Sequence, residues 1–402
     1  MLNKFASIKK LFLLGIAVAS TKVMLLLFAY FFDAETYNTF NQVYYTASLI
    51  ILFGSLGFNI AVTRIKVSLA IVLISVALNA ILAYLFLQII SAPFNNLFEI
   101  SSILIYSIFI SISGIYVFHL LFSGRYKDYV LLTILYSVLH LLIIPAILFL
   151  KVSLFTVLPV VSILWFFIGL SKYLKQQGFS VNSFKEFYKI GVSAFVINSA
   201  VSLALAADKY FVNHFFPVEI ANSYTFAWGL IAPMFYIGVL IEQYLFSETN
   251  TSKSNILKRG FILVAALVAF YSVTTVTMIN LFPGILPASV NYITVLKIFT
   301  LMISGYSVYV IIHFPVNAYL FKSLGTEKQK TISLVFAVII SGFIALYIFI
   351  FQGLISIDYV WLLILTWSYI FTLLITKIFI MFREDIGSEP AKSLMEIKNL
   401  EP

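Results

Sequence analysis

The stretch that decides the reading is Ala207-Asp208-Lys209-Tyr210-Phe211-Val212-Asn213-His214-Phe215-Phe216-Pro217-Val218-Glu219-Ile220-Ala221-Asn222-Ser223-Tyr224. Two opposite charges sit near the end of one apolar run, and a short polar turn leads into the next. The turn has a twin. Phe215-Phe216-x-x-Glu219-x-x-Asn222-Ser223-Tyr224 repeats Phe31-Phe32-x-x-Glu35-x-x-Asn38-Thr39-Phe40 without a gap, 184 residues later (215 − 31). An internal repeat outranks other fold signals, and this one predicts a duplicated chain.

Composition sets the solvent. Of 402 residues, 62% are hydrophobic and 10% charged, against about 25% charged in a soluble domain. With a mean hydropathy of +1.06, the chain reads as an integral membrane protein. No cysteine is present, which excludes disulfides, thiol nucleophiles and thiolate metal sites. Apolar runs of spanning length recur twelve times, at 11–32, 43–62, 68–90, 100–122, 129–150 and 154–173, then 190–216, 223–246, 260–281, 292–320, 331–351 and 359–382. Each reaches across the ~30 Å of bilayer hydrocarbon. The first run continues past the small residues Ala17-Val18-Ala19, so it reads as an uncleaved helix rather than a signal peptide. Pro283 and Pro287 interrupt the chain between the ninth and tenth runs, where a short re-entrant piece is allowed.

Lysine and arginine orient the spans. Taking the N-terminus and alternate connections as one side places 20 of the 25 basic residues there. The opposite loops hold only Lys151, and Lys22, Lys209, Lys297 and Lys377 lie inside runs. By the positive-inside rule both termini are expected in the cytoplasm. The +9 net charge thus belongs to loops and gives no support to nucleic-acid binding. The expected fold is an all-α polytopic protein with twelve transmembrane helices in two parallel six-helix repeats around a central cavity. Its parts are an N-terminal lobe (1–174), a cytoplasmic linker (175–189), a C-terminal lobe (190–382) and a cytoplasmic tail (383–402). A second echo, Leu121–Lys127 against Leu320–Lys328, follows the fourth run of each half.

Ionisable groups at membrane depth cost about 2.5–3.5 kcal/mol each at a helix centre. Lys22 lies mid-run on a face shared with Gly15, Ala19 and Ala29. It reads as an anion ligand in a cavity, or as the ion-pair partner of Asp208 or Glu242. Asn198, Ser202, Ala206, Lys209 and Asn213 step by four, four, three and four, forming a polar stripe suited to a cavity wall or a helix–helix contact. Glu242 reads as a coupling acid or a snorkelling side chain. Lys297 heads a stripe with Thr300, Ser304 and Ser307 and reads as a ligand or a snorkeller. Lys377 is expected to snorkel. His119, His140 and His313 are isolated, so no metal site is expected. Pro145, Pro159, Pro233 and Pro315 are expected to kink their helices. There is no Gly-Lys-Ser/Thr nucleotide loop. The outer acids are only Asp33, Glu35, Glu99, Glu219 and Asp358, with no outer arginine, which opposes a membrane polysaccharide polymerase.

Three motifs carry a resemblance: Phe31-Phe32-Asp33-Ala34-Glu35-Thr36-Tyr37, Gly54-Ser55-Leu56-Gly57-Phe58-Asn59-Ile60-Ala61-Val62-Thr63-Arg64, and Ala207-Asp208-Lys209-Tyr210 with Asn222-Ser223-Tyr224-Thr225-Phe226-Ala227. They resemble the O-antigen (Wzx-type) polysaccharide flippases of the multidrug/oligosaccharidyl-lipid/polysaccharide exporter superfamily, over essentially the whole chain. Tyr37 and Ala221 stand where members usually carry glycine. The resemblance implies a V-shaped pair of lobes in the bacterial cytoplasmic (inner) membrane, with a lateral opening beside the first and eighth spans. It implies transport by alternating access of an oligosaccharide linked to an undecaprenyl-pyrophosphate-type lipid, such as an O-antigen, lipopolysaccharide or capsule repeat unit. Lys22, Lys209 and Lys297 would hold the phosphates as point charges, and asparagine, serine and aromatic side chains would meet the sugars. No enzyme activity and no cofactor are expected, and coupling to a proton or sodium gradient is left open. Other polysaccharide-assembly proteins are possible partners by the same resemblance. A cation-coupled multidrug exporter of the same superfamily is the alternative, and it would call for a net acidic cavity.

Overall fold

The computed structural model describes residues 15–16, 20–21, 23–65, 67–91, 93–123, 125–170, 181–198, 200–247, 253–323, 326–351 and 358–387. The described residues are almost all helical and contain no strand. Helix α1 covers residues 23–31 of the first span. The remaining helices are α2 (Ala34–Ser55), α3 (Phe58–Arg64), α4 (Leu69–Ser91), α5 (Leu97–Phe122), α6 (Tyr126–Leu141), α7 (Ile143–Leu148) and α8 (Leu154–Leu170) in the first half. The second half has α9 (Val181–Asn198), α10 (Ala200–Phe215), α11 (Val218–Ser247), α12 (Lys253–Leu281), α13 (Tyr292–Ser323), α14 (Thr326–Phe351) and α15 (Tyr359–Gly387). Three spans are each split into two helices: α2 with α3, α6 with α7 and α9 with α10. The architecture is therefore twelve spans in two six-helix repeats, as the apolar runs indicate.

The repeat is visible in the packing. In the first half, the second span (α2) packs on the fourth (α5), the fourth on the sixth (α8), and the third (α4) on the fourth. In the second half the equivalent pairs α11–α13, α13–α15 and α12–α13 pack likewise. The twin turns also match in burial: Phe31 and Phe215 face outward, whereas Phe40 and Tyr224 are buried. Moreover, the turns dock on each other. Asn222 donates from Nδ2 to the carbonyl of Ala34 in the other turn, 2.8 Å away. Gln42 likewise donates to the carbonyl of Asn213 at 2.8 Å, and Thr46 meets His214 at 3.0 Å. Asp33 caps α2 by accepting from the Thr36 N–H at 2.8 Å, and that bond holds its carboxyl below the usual range.

The breaks have local causes. Leu56 and Gly57 both have positive φ, 36° and 70°, which ends α2 and turns the chain into α3. A Cβ at Gly57 would lie 2.4 Å from the Gly191 carbonyl oxygen, so α3 and α9 meet backbone to backbone. Phe58 stacks on Phe187 beside this contact, with ring centroids 4.1 Å apart. α6 ends at Leu141 because Pro145 has no N–H to offer the Leu141 carbonyl, whereas Pro159, Pro233 and Pro315 lie within unbroken helices. Residues 281–292 form no re-entrant helix; Pro283–Ile285 is one 3₁₀ turn.

Two boundaries differ from expectation. Residues 181–189, read as the end of the linker, form the first half of α9, because Phe184, Phe187 and Tyr188 pack on the cluster around Phe58. The seventh span, read as one run, bends by 71° between α9 and α10. Gly57→Ala is expected to lower the apparent melting temperature of the purified protein. The combined cost is about 2–4 kcal/mol from overpacking and a left-handed backbone. Gly169→Ala should leave it unchanged, since a Cβ there meets nothing within 4 Å.

Candidate functional site

Helix α10 lies between the lobes, against α2 on one side and α11 and α15 on the other. Its Asp208 and Lys209 are 0% and 1% exposed. Neighbours on a helix point about 100° apart, yet the flexible lysine folds back and places Nζ 2.6 Å from Asp208 Oδ1. Nζ also donates to the Leu205 carbonyl at 2.5 Å and lies 3.7 Å from the centroid of the Trp228 ring. The same Oδ1 accepts the Lys209 backbone N–H at 2.7 Å, and Tyr224 donates to Oδ2 at 2.9 Å. Both carboxylate oxygens thus have partners within the C-terminal half. Lys22, read from the sequence as a candidate partner of Asp208, lies outside the described residues.

The duplication explains the cluster. At the 184-residue offset Asp208, Lys209 and Tyr224 correspond to Met24, Leu25 and Phe40 (208 − 184 = 24, and likewise). The charge pair and the hydroxyl that binds it therefore occur together in one half, and apolar counterparts fill all three places in the other. Below the pair, Asn213 donates to Thr225 Oγ1 at 2.9 Å and to the Lys209 carbonyl at 2.7 Å. A narrow void remains where α1 and α2 meet α11, lined by Leu25, Leu26, Tyr37, Asn41, Trp228 and Gly229.

A second polar cluster joins α11, α13 and α15. Asn317 Nδ2 donates to Glu242 Oε1 at 2.9 Å, and Lys377 Nζ donates to Asn317 Oδ1 at 3.0 Å. Lys377 is 5% exposed and lies 5.7 Å from the Phe336 ring centroid. This corrects the snorkelling expectation for Lys377 and turns Glu242 inward as well. The ammonium lies on the helix face that packs against α13, so a protein partner replaces water. Tyr309 and His313 continue the polar line along α13, with the hydroxyl and Nδ1 2.8 Å apart.

The remaining expected residues are dispersed. Lys297 and Ser304 are exposed on α13, where Ser304 bonds its own helix at the Leu301 carbonyl. Ser202 is exposed near the start of α10, and the side chain of Asn198 lies outside the described residues. The polar stripe thus divides: Lys209 and Asn213 are buried in the lobe contact, and Ser202 is not. The structure does not bring Lys297 to the Asp208–Lys209 pair. Asn317, Tyr224 and Trp228 were not singled out from the sequence. The phenylalanine-to-tyrosine difference between the twin turns was the available signal for Tyr224. No pattern pointed to Asn317 or Trp228. Among the described residues no group of acids and histidines could hold a metal ion.

The fold has solved counterparts. The fold matches an inward-facing multidrug resistance MATE family transporter of the MOP superfamily at a TM-score of 0.51 and 13% identity, over 94% of this chain and 96% of that one. It matches a MOP superfamily transporter from Pyrococcus furiosus, described as having a binding pocket of reversed polarity, at 0.54 and 13%, over 94% and 95%. A MATE structure in the straight conformation gives 0.54 and 12%, over 95% and 96%. At these identities the likeness is one of fold, and it extends over nearly the full length of all three. No protein-family model and no curated protein matches the chain.

Removing one member of a buried pair leaves an uncompensated charge, which costs about 3–5 kcal/mol, whereas apolar replacement of the whole pair is often neutral. Asp208→Met alone is therefore expected to abolish the folded peak in size-exclusion chromatography or lower its melting temperature sharply. The triple change Asp208→Met, Lys209→Leu and Tyr224→Phe, which copies the first half, should restore it.

Proposed function

We propose that this chain is a flippase. It would move an oligosaccharide carried on a polyprenyl pyrophosphate across the cytoplasmic membrane, supplying repeat units for a cell-surface polysaccharide such as O-antigen or capsule. One observation carries the reading: at membrane depth the charges are Lys22, Lys209, Lys297 and Lys377 against Asp208 and Glu242. An excess of lysine suits an anionic head group and opposes an organic cation as cargo. The full-length likeness to transporter folds supports a rocking motion of two lobes about the seam at α2, α10 and α11.

In this reading Lys22 and Lys209 are the phosphate ligands, and Lys297, which stands apart from the pair, is not needed for them. Lys209 becomes available when the lobes separate and the Asp208 carboxylate gives way, either to the incoming phosphate or by taking a proton. Asp208 and Glu242 are then the candidate coupling groups for a proton or sodium gradient. Asn213 and Trp228, beside the pair, would contact sugar hydroxyls and ring faces. The basic loops would lie in the cytoplasm with both termini, and the polyprenyl tail of the carrier would stay in the bilayer throughout.

A second reading, a cation-coupled multidrug exporter, is favoured by one particular: Asp208 is buried among Tyr224, Tyr306 and Trp228, groups that could hold an organic cation once Lys209 swung away. Loss of the protein separates the two. The flippase reading expects lipid-linked repeat units to accumulate on the cytoplasmic face, measured by accessibility to an added glycosidase in oriented vesicles. Unchanged levels with new drug sensitivity would favour the exporter. Lys22→Ala is expected to abolish surface polysaccharide while the protein still inserts at normal abundance, and normal polysaccharide in that strain would remove Lys22 from the site.

A further inference from the structure

Two loops on the side of the fold opposite the basic connections cross between the lobes in opposite directions. Each follows the third span of its half and leads into the fourth: one after α4 and one, residues 282–291, after α12. The first reaches α10 of the second lobe. Ser91, at the end of α4, gives its hydroxyl hydrogen to the Leu87 carbonyl at 3.0 Å, so the Tyr210 hydroxyl is the donor in its short bond to Ser91 Oγ. Three residues on, Phe94 meets the His214 ring edge-on, with centroids 5.9 Å apart. The Tyr84 hydroxyl holds the Phe94 carbonyl on α4 at 3.3 Å.

The second loop reaches α1 of the first lobe. Ser289 is 5% exposed, and its Oγ donates to the Ala29 carbonyl at 2.6 Å. Its own carbonyl accepts from Asn222 at 3.2 Å, and the Asn291 N–H donates to Ser223 Oγ at 3.3 Å. These two bonds fasten the loop to α11, so only the Ser289 hydroxyl makes the crossing to Ala29.

The duplication relates the two crossings. At the 184-residue offset the gripped part of α10, Tyr210–His214, corresponds to Leu26–Tyr30 of α1 (210 − 184 = 26, 214 − 184 = 30). Each lobe therefore closes its third-span loop over the first span of the other. The side chains differ, tyrosine and histidine in one crossing and serine in the other, but the place in the repeat is the same. A crossing made by a single hydroxyl is weak enough to break and re-form. On the basic side the lobes meet in another way: Gly57 of α3 lies against Gly191 of α9, with the buried Ala194 beside them.

We infer that the two loops are paired clasps of one outer gate, which release together when the lobes part on that side. The parting rests on the transporter reading above; the grip rests on the contacts alone. Because the clasps hold different helices but close one seam, weakening either one favours the same opening.

The chain has no cysteine, so single reporters can follow each face. Ala29→Cys lies under the second clasp, and Ala194→Cys lies at the contact on the basic side. Their alkylation by a sulfonated maleimide would be timed by mass spectrometry on the full-length protein in lipid nanodiscs, which leave both faces open to the reagent. Tyr210→Phe deletes one crossing and leaves Ser91 bonded to Leu87; Ser289→Ala deletes the other. Each is expected to speed alkylation at position 29 about fivefold. Together they should speed it about 25-fold, since separate contributions add as free energies. The rate at position 194 should not rise. No effect of Tyr210→Phe at position 29 would overturn the pairing, because that hydroxyl lies on α10 and not on α1. Equal acceleration at both positions would overturn the gate, because it would report a loosening of the whole fold. A transport assay keeps the two readings apart. Acceleration at position 29 alone, without movement of a lipid-linked glycan, leaves the gate standing and rejects the flippase reading. Glycan movement with unaltered alkylation rejects the gate alone.

Discussion

The Asp208–Lys209 ion pair sets the terms for the rest of the molecule. A charge withdrawn from water has to be neutralised where it stands, because the desolvation cost in a low-dielectric interior exceeds what a distant partner can return. Here the neutralising groups are local: one carboxylate, the Leu205 carbonyl, the face of Trp228 and the Tyr224 hydroxyl. Their positions require α10 and α11 to cross at a fixed register, and that register places the Phe215–Tyr224 turn against its twin from the first half. The seam between the lobes is then closed by neutral hydrogen bonds, Asn222 to Ala34, Gln42 to Asn213 and Thr46 with His214.

Duplication gives the two halves the same helix pairs, but it does not give them the same chemistry. The first half is apolar where the second carries its ion pair. The second half also contains the Glu242–Asn317–Lys377 chain, whose ammonium is held between three helices.

Much of the fold was legible because a bilayer leaves few options. Spans must be about 20 apolar residues long and their loops are sorted by charge, so twelve runs and an alternating lysine bias fix the helix count. The twin turns added the repeat. What remained hidden depended on which way a helix face points. Depth alone made Lys377 a snorkelling residue, but its face meets Asn317 on α13. The polar stripe on α10 was continuous in sequence and is divided in space, because α2 and α11 cover only its Lys209–Asn213 end. The extra turns of α9 were read as linker because Val181–Lys189 is amphipathic rather than uniformly apolar, and its apolar side finds Phe58.

The account is tested most directly by reconstituting the purified protein in liposomes. A short-chain polyprenyl-pyrophosphate oligosaccharide with a fluorescent sugar would be placed in both leaflets, and the fraction shielded from a membrane-impermeant quencher followed over time. The account predicts protein-dependent transbilayer movement that is lost in Lys22→Ala and is not inhibited by excess tetraphenylphosphonium. Movement of the organic cation with no movement of the lipid-linked glycan would contradict it.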